Sequence, residues 1–156
     1  MDTMTWLNED MQFEPGRVLC RSERGFSLWA YTVSHGQLLL RSPSGASWLG
    51  DRYDTTIDVL FKPVKAMRLQ DRYDGLVIRC ATEEEAATAK ADIPERWLFS
   101  DDRVVVLEGD GAAGHVVCKA VGWCEGVLAS GQRGFFVDDS SRPPMRALDG
   151  IDSGLV

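Results

Sequence analysis

The sequence predicts an α+β domain that is mainly antiparallel β, a sheet or partial barrel, with one principal helix near residues 83–92. Three observations predict it. Short runs rich in β-branched and aromatic residues recur between turn-forming residues. One of them, Thr55 to Phe61, alternates apolar and polar positions as a half-buried antiparallel strand does. A single alanine- and glutamate-rich stretch, "ATEEEAATAKADIP", interrupts the β pattern. With 156 residues, 44% of them hydrophobic, the chain is long enough for one core, so one domain is expected.

Residues 1–16 carry no sustained period and read as an N-terminal arm that ends in the turn Glu14-Pro15-Gly16. The domain is expected over residues 17–125. Val18 to Cys20 is a first apolar run. "FSLWAYTV" (Phe26 to Val33) and "QLLLR" (Gln37 to Arg41) flank Ser34-His35-Gly36, a hairpin with Gly36 supplying positive φ. Ser42 to Gly50 reads as a loop. In the strand that follows, Ile57, Val59 and Phe61 share one face and Thr56 and Asp58 the other, and Pro63 ends or deflects it. Val64 to Leu69 fits either a turn of helix or a strand, whereas Leu76 to Ala81 reads as extended. Thr82 and Glu85 stand three apart as a capping box, and alanines carry the helix towards Pro94. Its acidic first turn, Glu83, Glu84 and Glu85, suits the positive end of the helix dipole better than a metal. Arg103 to Leu107 and Val116 to Trp123 are two further β runs joined by a glycine-rich loop. Residues 126–156 have little apolar periodicity and read as a loosely ordered tail.

Twenty-four acidic against 17 basic residues give a net charge of −7, and the basic residues form no cluster. Such a surface repels phosphate backbones and anionic lipids, so neither nucleic acid nor membrane is an expected partner. No stretch approaches the ~20 apolar residues of a membrane helix. The N-terminus lacks the basic and hydrophobic segments of a signal peptide, and a cytoplasmic protein with reduced Cys20, Cys80, Cys118 and Cys124 is expected.

Several motifs suggest chemistry and then fail on context. Gly109-Asp110-Gly111-Ala112-Ala113-Gly114 matches GxGxxG, but "HVVCKAVGW" follows where a dinucleotide site needs a helix, so no cofactor is expected. His115, Cys118 and Cys124 lack finger-like spacing, so no metal is expected. On one continuous strand Cys118 and Cys124 share a face, His115 points the other way, and Trp123 lies opposite them with Val117 and Val121. Ser34 and His35, adjacent on an extended chain, point apart and make no dyad. Without a recognisable nucleophile or base, the sequence names no catalytic residue. The tetrapeptide DRYD occurs at Asp51 to Asp54 and Asp71 to Asp74, each time before a strand, and reads as two strand entries rather than a repeat.

The segments "YTVSHGQLLLRS" (Tyr31 to Ser42), "IDVLFKPV" (Ile57 to Val64) and "DGLVIR" (Asp74 to Arg79) resemble a group of small uncharacterised bacterial proteins without an assigned activity. The order hairpin, polar strand, "FKPV" turn and further strand is similar, more distantly, to the first half of bacterial pleckstrin-homology-like domains, bent barrels used for binding and assembly. The resemblance implies a binding role and no particular reaction. The expected function is a non-enzymatic protein-interaction module that binds a basic partner, as a neutraliser of a toxin would, or a second copy of itself. The competing expectation is a small-ligand binder or enzyme with a pocket near the His35 turn and the 109–114 glycine loop. Tyr31, His35, Arg41 and Asp58 are the candidate binding residues, placed away from the apolar face or at the turn.

Overall fold

The computed structural model describes residues 3–6, 14–128 and 134. Its strands are β1 (Thr3–Trp6), β2 (Val18–Thr32), β3 (Gln37–Ser42), β4 (Gly45–Ala46), β5 (Arg52–Tyr53), β6 (Thr56–Lys62), β7 (Ala66–Arg68), β8 (Arg72–Cys80), β9 (Arg103–Gly109), β10 (Ala112–Cys118) and β11 (Ala120–Gly126). The helix α1 covers Glu83–Lys90, and a 3-10 turn covers Glu95–Trp97. Among the described residues, no helix is long and apolar enough to cross a membrane. The α+β class holds, with antiparallel pairing throughout. The N-terminal arm departs from expectation, because Thr3–Trp6 joins the sheet beside β11. Most of the 126–156 tail lies outside the described residues.

Nine strands form one sheet in the order β1-β11-β6-β3-β2-β8-β9-β10-β7, and β4 and β5 form a separate small ladder. The order is open, ending on β1 and β7. Yet β7 follows β6 after only three residues, Pro63 to Lys65. Six inter-strand steps would hold β6 and β7 about 29 Å apart in a flat sheet. The chain from Lys62 to Ala66 reaches ~14 Å at most. The sheet therefore has to curl until its far edge returns to its middle. β10 and β11 bend in step, because only Lys119 separates them, and β11 pairs with β6 while β10 pairs with β7. Main-chain bonds from Lys65 to Val117 (2.8 Å) and from Lys119 to Lys62 (3.3 Å) cross the bend.

The concave side holds the core, including Phe26, Leu38, Leu40, Val59, Phe61, Tyr73, Leu76, Ile78, Val105, Leu107, Val116 and Val121. Leu38 and Leu40, Val59 and Phe61, Leu76 and Ile78, and Val105 and Leu107 alternate as a period-2 pattern requires, while an irregularity at Gly75 brings Tyr73 to the same side as Leu76. A second, smaller cluster lies on the outside, where Ala81, Val104, Val106 and Val117 meet Ala86 and Ala89 of α1. This explains the unbroken apolar run Val104 to Leu107, since both of its faces are covered.

Two irregularities overturn face assignments made from spacing. Lys119 breaks the β10–β11 strand, so Cys118 and Val121 both enter the core, and Trp123 packs there with its ring 5.9 Å from that of Phe26. Cys124 instead pairs with Asp58 across the opposite face. Cys118 and Cys124 therefore do not share a face, and Val117 is separated from Val121 and Trp123. In β2 a bulge between Leu28 and Ala30 does the same for Tyr31, which lies opposite Leu38 and packs against the core. The runs Val18 to Cys20 and Phe26 to Val33 are also one bulged strand rather than two.

The hairpin turn after β2 has Gly36 at φ +59°, as expected. The capping box of α1 is present, with Glu85 N donating to Thr82 Oγ1 and Thr82 N to Glu85 Oε1. The 42–50 stretch is not all loop, since β4 pairs with β5. Nor are the tyrosines of the two DRYD segments equivalent: Tyr73 lies in the core, while Tyr53 lies beneath the Arg24 guanidinium at 4.0 Å.

The 109–114 stretch also departs from expectation. It is not a loop throughout: β9 runs through Gly109, β10 starts at Ala112, and only Asp110-Gly111 turns between them. A Cβ on Gly114 would collide with the Arg68 carbonyl oxygen and the Tyr73 hydroxyl, so this glycine serves close packing. Gly114→Ala is expected to lower the unfolding free energy by about 1–3 kcal/mol. A urea titration that leaves the midpoint unchanged would contradict that packing.

Candidate functional site

The four sequence-proposed residues occupy three environments. Arg41 and Asp58 face each other across β3 and β6, on the side away from the main core. Arg41 Nε donates to Asp58 Oδ1 at 2.7 Å and Nη2 to Oδ2 at 3.0 Å, a bidentate pair. Neither is open to solvent, with Asp58 at 0% and Arg41 at 7% exposure. The Arg41 guanidinium also lies 4.8 Å from the Trp29 ring centre. This pair is occupied with itself and binds the sheet together. Tyr31 is on the core side, and His35 is exposed in the turn. There the chain is not extended, so Ser34 Oγ comes within 2.9 Å of His35 Nδ1, contrary to the expectation that they point apart. The four residues thus share no common surface.

A second buried arginine was not legible in the sequence. Arg24, in a bulged part of β2, donates from Nε to Ser42 Oγ at 3.1 Å and from Nη1 to Thr55 Oγ1 at 2.9 Å, and also reaches the carbonyls of Ser42 and Thr55. Thr55 in turn donates to Glu125 at 2.8 Å. Together with the contact on Tyr53, these bonds clamp the β4–β5 segment onto the sheet. Nothing in the local pattern "RSERGF" marks Arg24 as buried, because its partners are distant in sequence.

The cysteines offer no ready nucleophile. Burial pushes the Cys20 and Cys118 thiols up to about 12, the charge of Asp102 adding to the rise at Cys118. All four are free thiols. Among the described residues, no three His, Cys, Asp or Glu side chains come together as a metal site.

The concave feature with convergent polar groups lies elsewhere, between α1 and the outer face of β9, β10 and β7. It is a groove of about 560 Å³, open to solvent. Val104 and Val106 contribute an apolar floor, and Ala89 lines the helix side. Arg68 and His115, cross-strand partners on β7 and β10, stand on one wall, while Glu84 and Thr88 line the helix wall. Gln70 also contributes to the lining. The helix is fixed over the sheet by Arg79, which binds Glu85 through two 2.7 Å contacts and Glu108 through a third. The Arg79 hydrogen bonds, with help from the Thr82 amide, bring the Glu85 carboxyl down to about 2. Glu85 is therefore a fixed anion, committed to structure.

By contrast, no hydrogen bond or ion pair to another described residue engages the side chains of Arg68, Gln70, Glu84 or His115. Burial, followed by the charge of Arg68, lowers the His115 pKa below the usual imidazole value. At neutral pH His115 is thus a neutral ring with one donor and one acceptor. The groove presents a guanidinium, a neutral imidazole and a carboxylate around an apolar floor. The glycine stretch contributes Ala113 and Gly114 to the lining; the His35 turn contributes nothing. Sequence spacing could not join Arg68, Glu84 and His115, which meet only because β7 pairs with β10 beneath α1. Compared with family models, curated proteins and solved structures, the chain matches none.

Two outcomes follow from these geometries. Asp58→Ala strands the Arg41 charge in the interior and is expected to cost about 3–5 kcal/mol by urea unfolding, whereas Arg41→Met with Asp58→Leu should cost much less. For His115, the unfolded chain binds the proton more readily than the folded one, so folding stability falls as pH drops through the usual imidazole range near 6.5 and is fully present above it. His115→Gln should flatten that limb of the stability curve between about pH 7 and 5. An unchanged slope would show that the imidazole is not desolvated.

Proposed function

We propose that the protein is a non-enzymatic interaction module that holds an extended segment of a protein partner in the groove beside α1. The observation that carries this reading is the convergence of Arg68, Glu84 and His115, each without a bond to another described residue, around the Val104–Val106 floor. An open groove of mixed polarity suits a polypeptide segment, which brings its own main-chain donors and acceptors and alternates apolar with polar side chains. The three glutamates in the first turn of α1 and the overall charge of −7 favour a basic partner, whose Lys or Arg would reach Glu84 while Arg68 takes a carboxylate or carbonyl.

The pleckstrin-homology-like likeness belongs to the same proposal. The curled antiparallel sheet supports it, and the place of α1 ahead of β9 to β11 departs from a helix that closes the chain. A cytoplasmic setting, with the four thiols reduced, is part of it too. A second reading, a small-molecule site in the same groove, draws on its volume, which falls within the range of ligand pockets.

Pull-down from the source cell's lysate at low and high salt tests the first reading. The expected result is a bound protein that is released as salt rises and whose affinity falls about 5- to 30-fold with Glu84→Lys or Arg68→Glu. Capture that ignores both salt and these substitutions would sink it. Dose-dependent thermal stabilisation by a metabolite, lost in Arg68→Glu, would favour the small-ligand reading instead.

A further inference from the structure

The other flank of α1 carries a different surface. A hollow of about 270 Å³ lies there, with Pro15, Ala81, Ala86 and Val104 as small apolar lining and Glu83, Lys90 and Arg103 as its charged lining besides Asp102. Asp102 also lines it and connects it to the segment that follows the helix. Asp102 Oδ2 accepts from the Phe99 amide at 2.8 Å and from Lys65 Nζ at 2.7 Å, and Lys65 Nζ also bonds the Trp97 carbonyl. This anchoring holds two large rings out of the fold, with Trp97 55% and Phe99 59% exposed. Lys65 and Lys119 lie over Phe99, while Arg96 lies 5.4 Å from the Trp97 ring. An indole held on a braced turn resembles an unfilled anchor more than a solvated loop residue.

We propose that this flank is a self-association surface, in which Trp97 of each of two copies inserts into the hollow beside α1 of the other about a two-fold axis. The occupant is a second copy because the two halves of the contact complement each other on the same chain. The protruding ring carries a cation, Arg96, and the hollow offers the Glu83 carboxylate; the cations that also line it, Lys90 and Arg103, donate to the main-chain carbonyls of Asp102 and Ser100. A two-fold axis repeats that Arg96–Glu83 pairing twice, which makes the patch self-complementary. The surface lies across α1 from the Glu84 groove, so it stands or falls independently of the partner reading.

Sedimentation of the full chain at low and high salt tests the proposal. The expected result is a dimer at low salt that weakens at high salt, and Trp97→Ala should weaken it by about 30-fold or more. Glu83→Lys and Arg96→Glu should each be monomeric alone and form a heterodimer when mixed, because one contact stays native and the other exchanges its charges. Circular dichroism of each variant separates loss of association from loss of folding. A wild-type chain that stays monomeric at its highest soluble concentration overturns the proposal. So does a dimer untouched by Trp97→Ala, or a mixture of the two charge variants that stays monomeric. A monomer that instead binds an acidic peptide through Trp97 would also overturn it, assigning the patch to a different partner.

Discussion

The structure depends on the short covalent link between β6 and β7. Three residues join a strand in the middle of the sheet to the strand at its edge, and backbone lengths leave curling as the only solution. The curl creates the two environments on which everything else rests. Its concave side gathers the alternate residues of β2, β3, β6, β8, β9, β10 and β11 into one core. Its convex side gives α1 an apolar strip to lie on, although the helix itself buries no residue. An eight-residue helix is too short to be stable alone in water, so tertiary contacts and the Arg79 bridge hold α1 in place.

Polar burial takes two forms in this protein. At Arg41 with Asp58, and at Arg24 with Ser42 and Thr55, charged groups are taken from water and matched by bonds from residues remote in sequence. Such groups cost most when one partner is missing, which specifies register more strongly than it adds stability. Asp102 is matched only in part at the other end, where the chain's four lysines gather: Lys65 bonds its Oδ2 and Lys90 its main-chain carbonyl, while its Oδ1 is buried without a partner among the described residues; Lys119 pairs with the neighbouring Asp101, and the Lys62 carbonyl accepts from the Lys119 amide. The groove is the opposite case. Its guanidinium, imidazole and carboxylate line one open groove without such bonds, and that contrast with the Arg24 and Arg41 networks is what the proposed binding role draws on.

Helix α1 divides the proposed functions between its flanks. Glu84 faces the groove with Arg68 and His115, while Glu83 faces the hollow near Trp97. Neighbouring helix positions point about 100° apart, so adjacent glutamates serve different surfaces. The same acidic first turn also stabilises the helix start, and Glu85 is spent entirely on that task and on Arg79.

The sequence by itself determined the local elements. The Thr82–Glu85 capping box, the shared face of Ile57, Val59 and Phe61, and the Gly36 turn all stand in the structure, because each depends on neighbours a few residues away; the strand expected to be half-buried is instead buried on both faces, Thr56, Asp58 and Leu60 included. The pocket expected to join the His35 turn with the 109–114 stretch does not form as such: Ala113 and Gly114 line the groove, and the turn is not part of it. Tertiary structure decided which faces those elements bury. The bulge at Leu28–Ala30 sent Tyr31 inward, and the break at Lys119 parted Cys118 from Cys124; a one-residue irregularity inverts every later side chain and leaves almost no trace in composition. It also decided the site. Arg68, Glu84 and His115 come to line one groove through the pairing of β7 with β10 beneath a helix, and such long-range placement is set by how the open sheet curls rather than by any spacing along the chain.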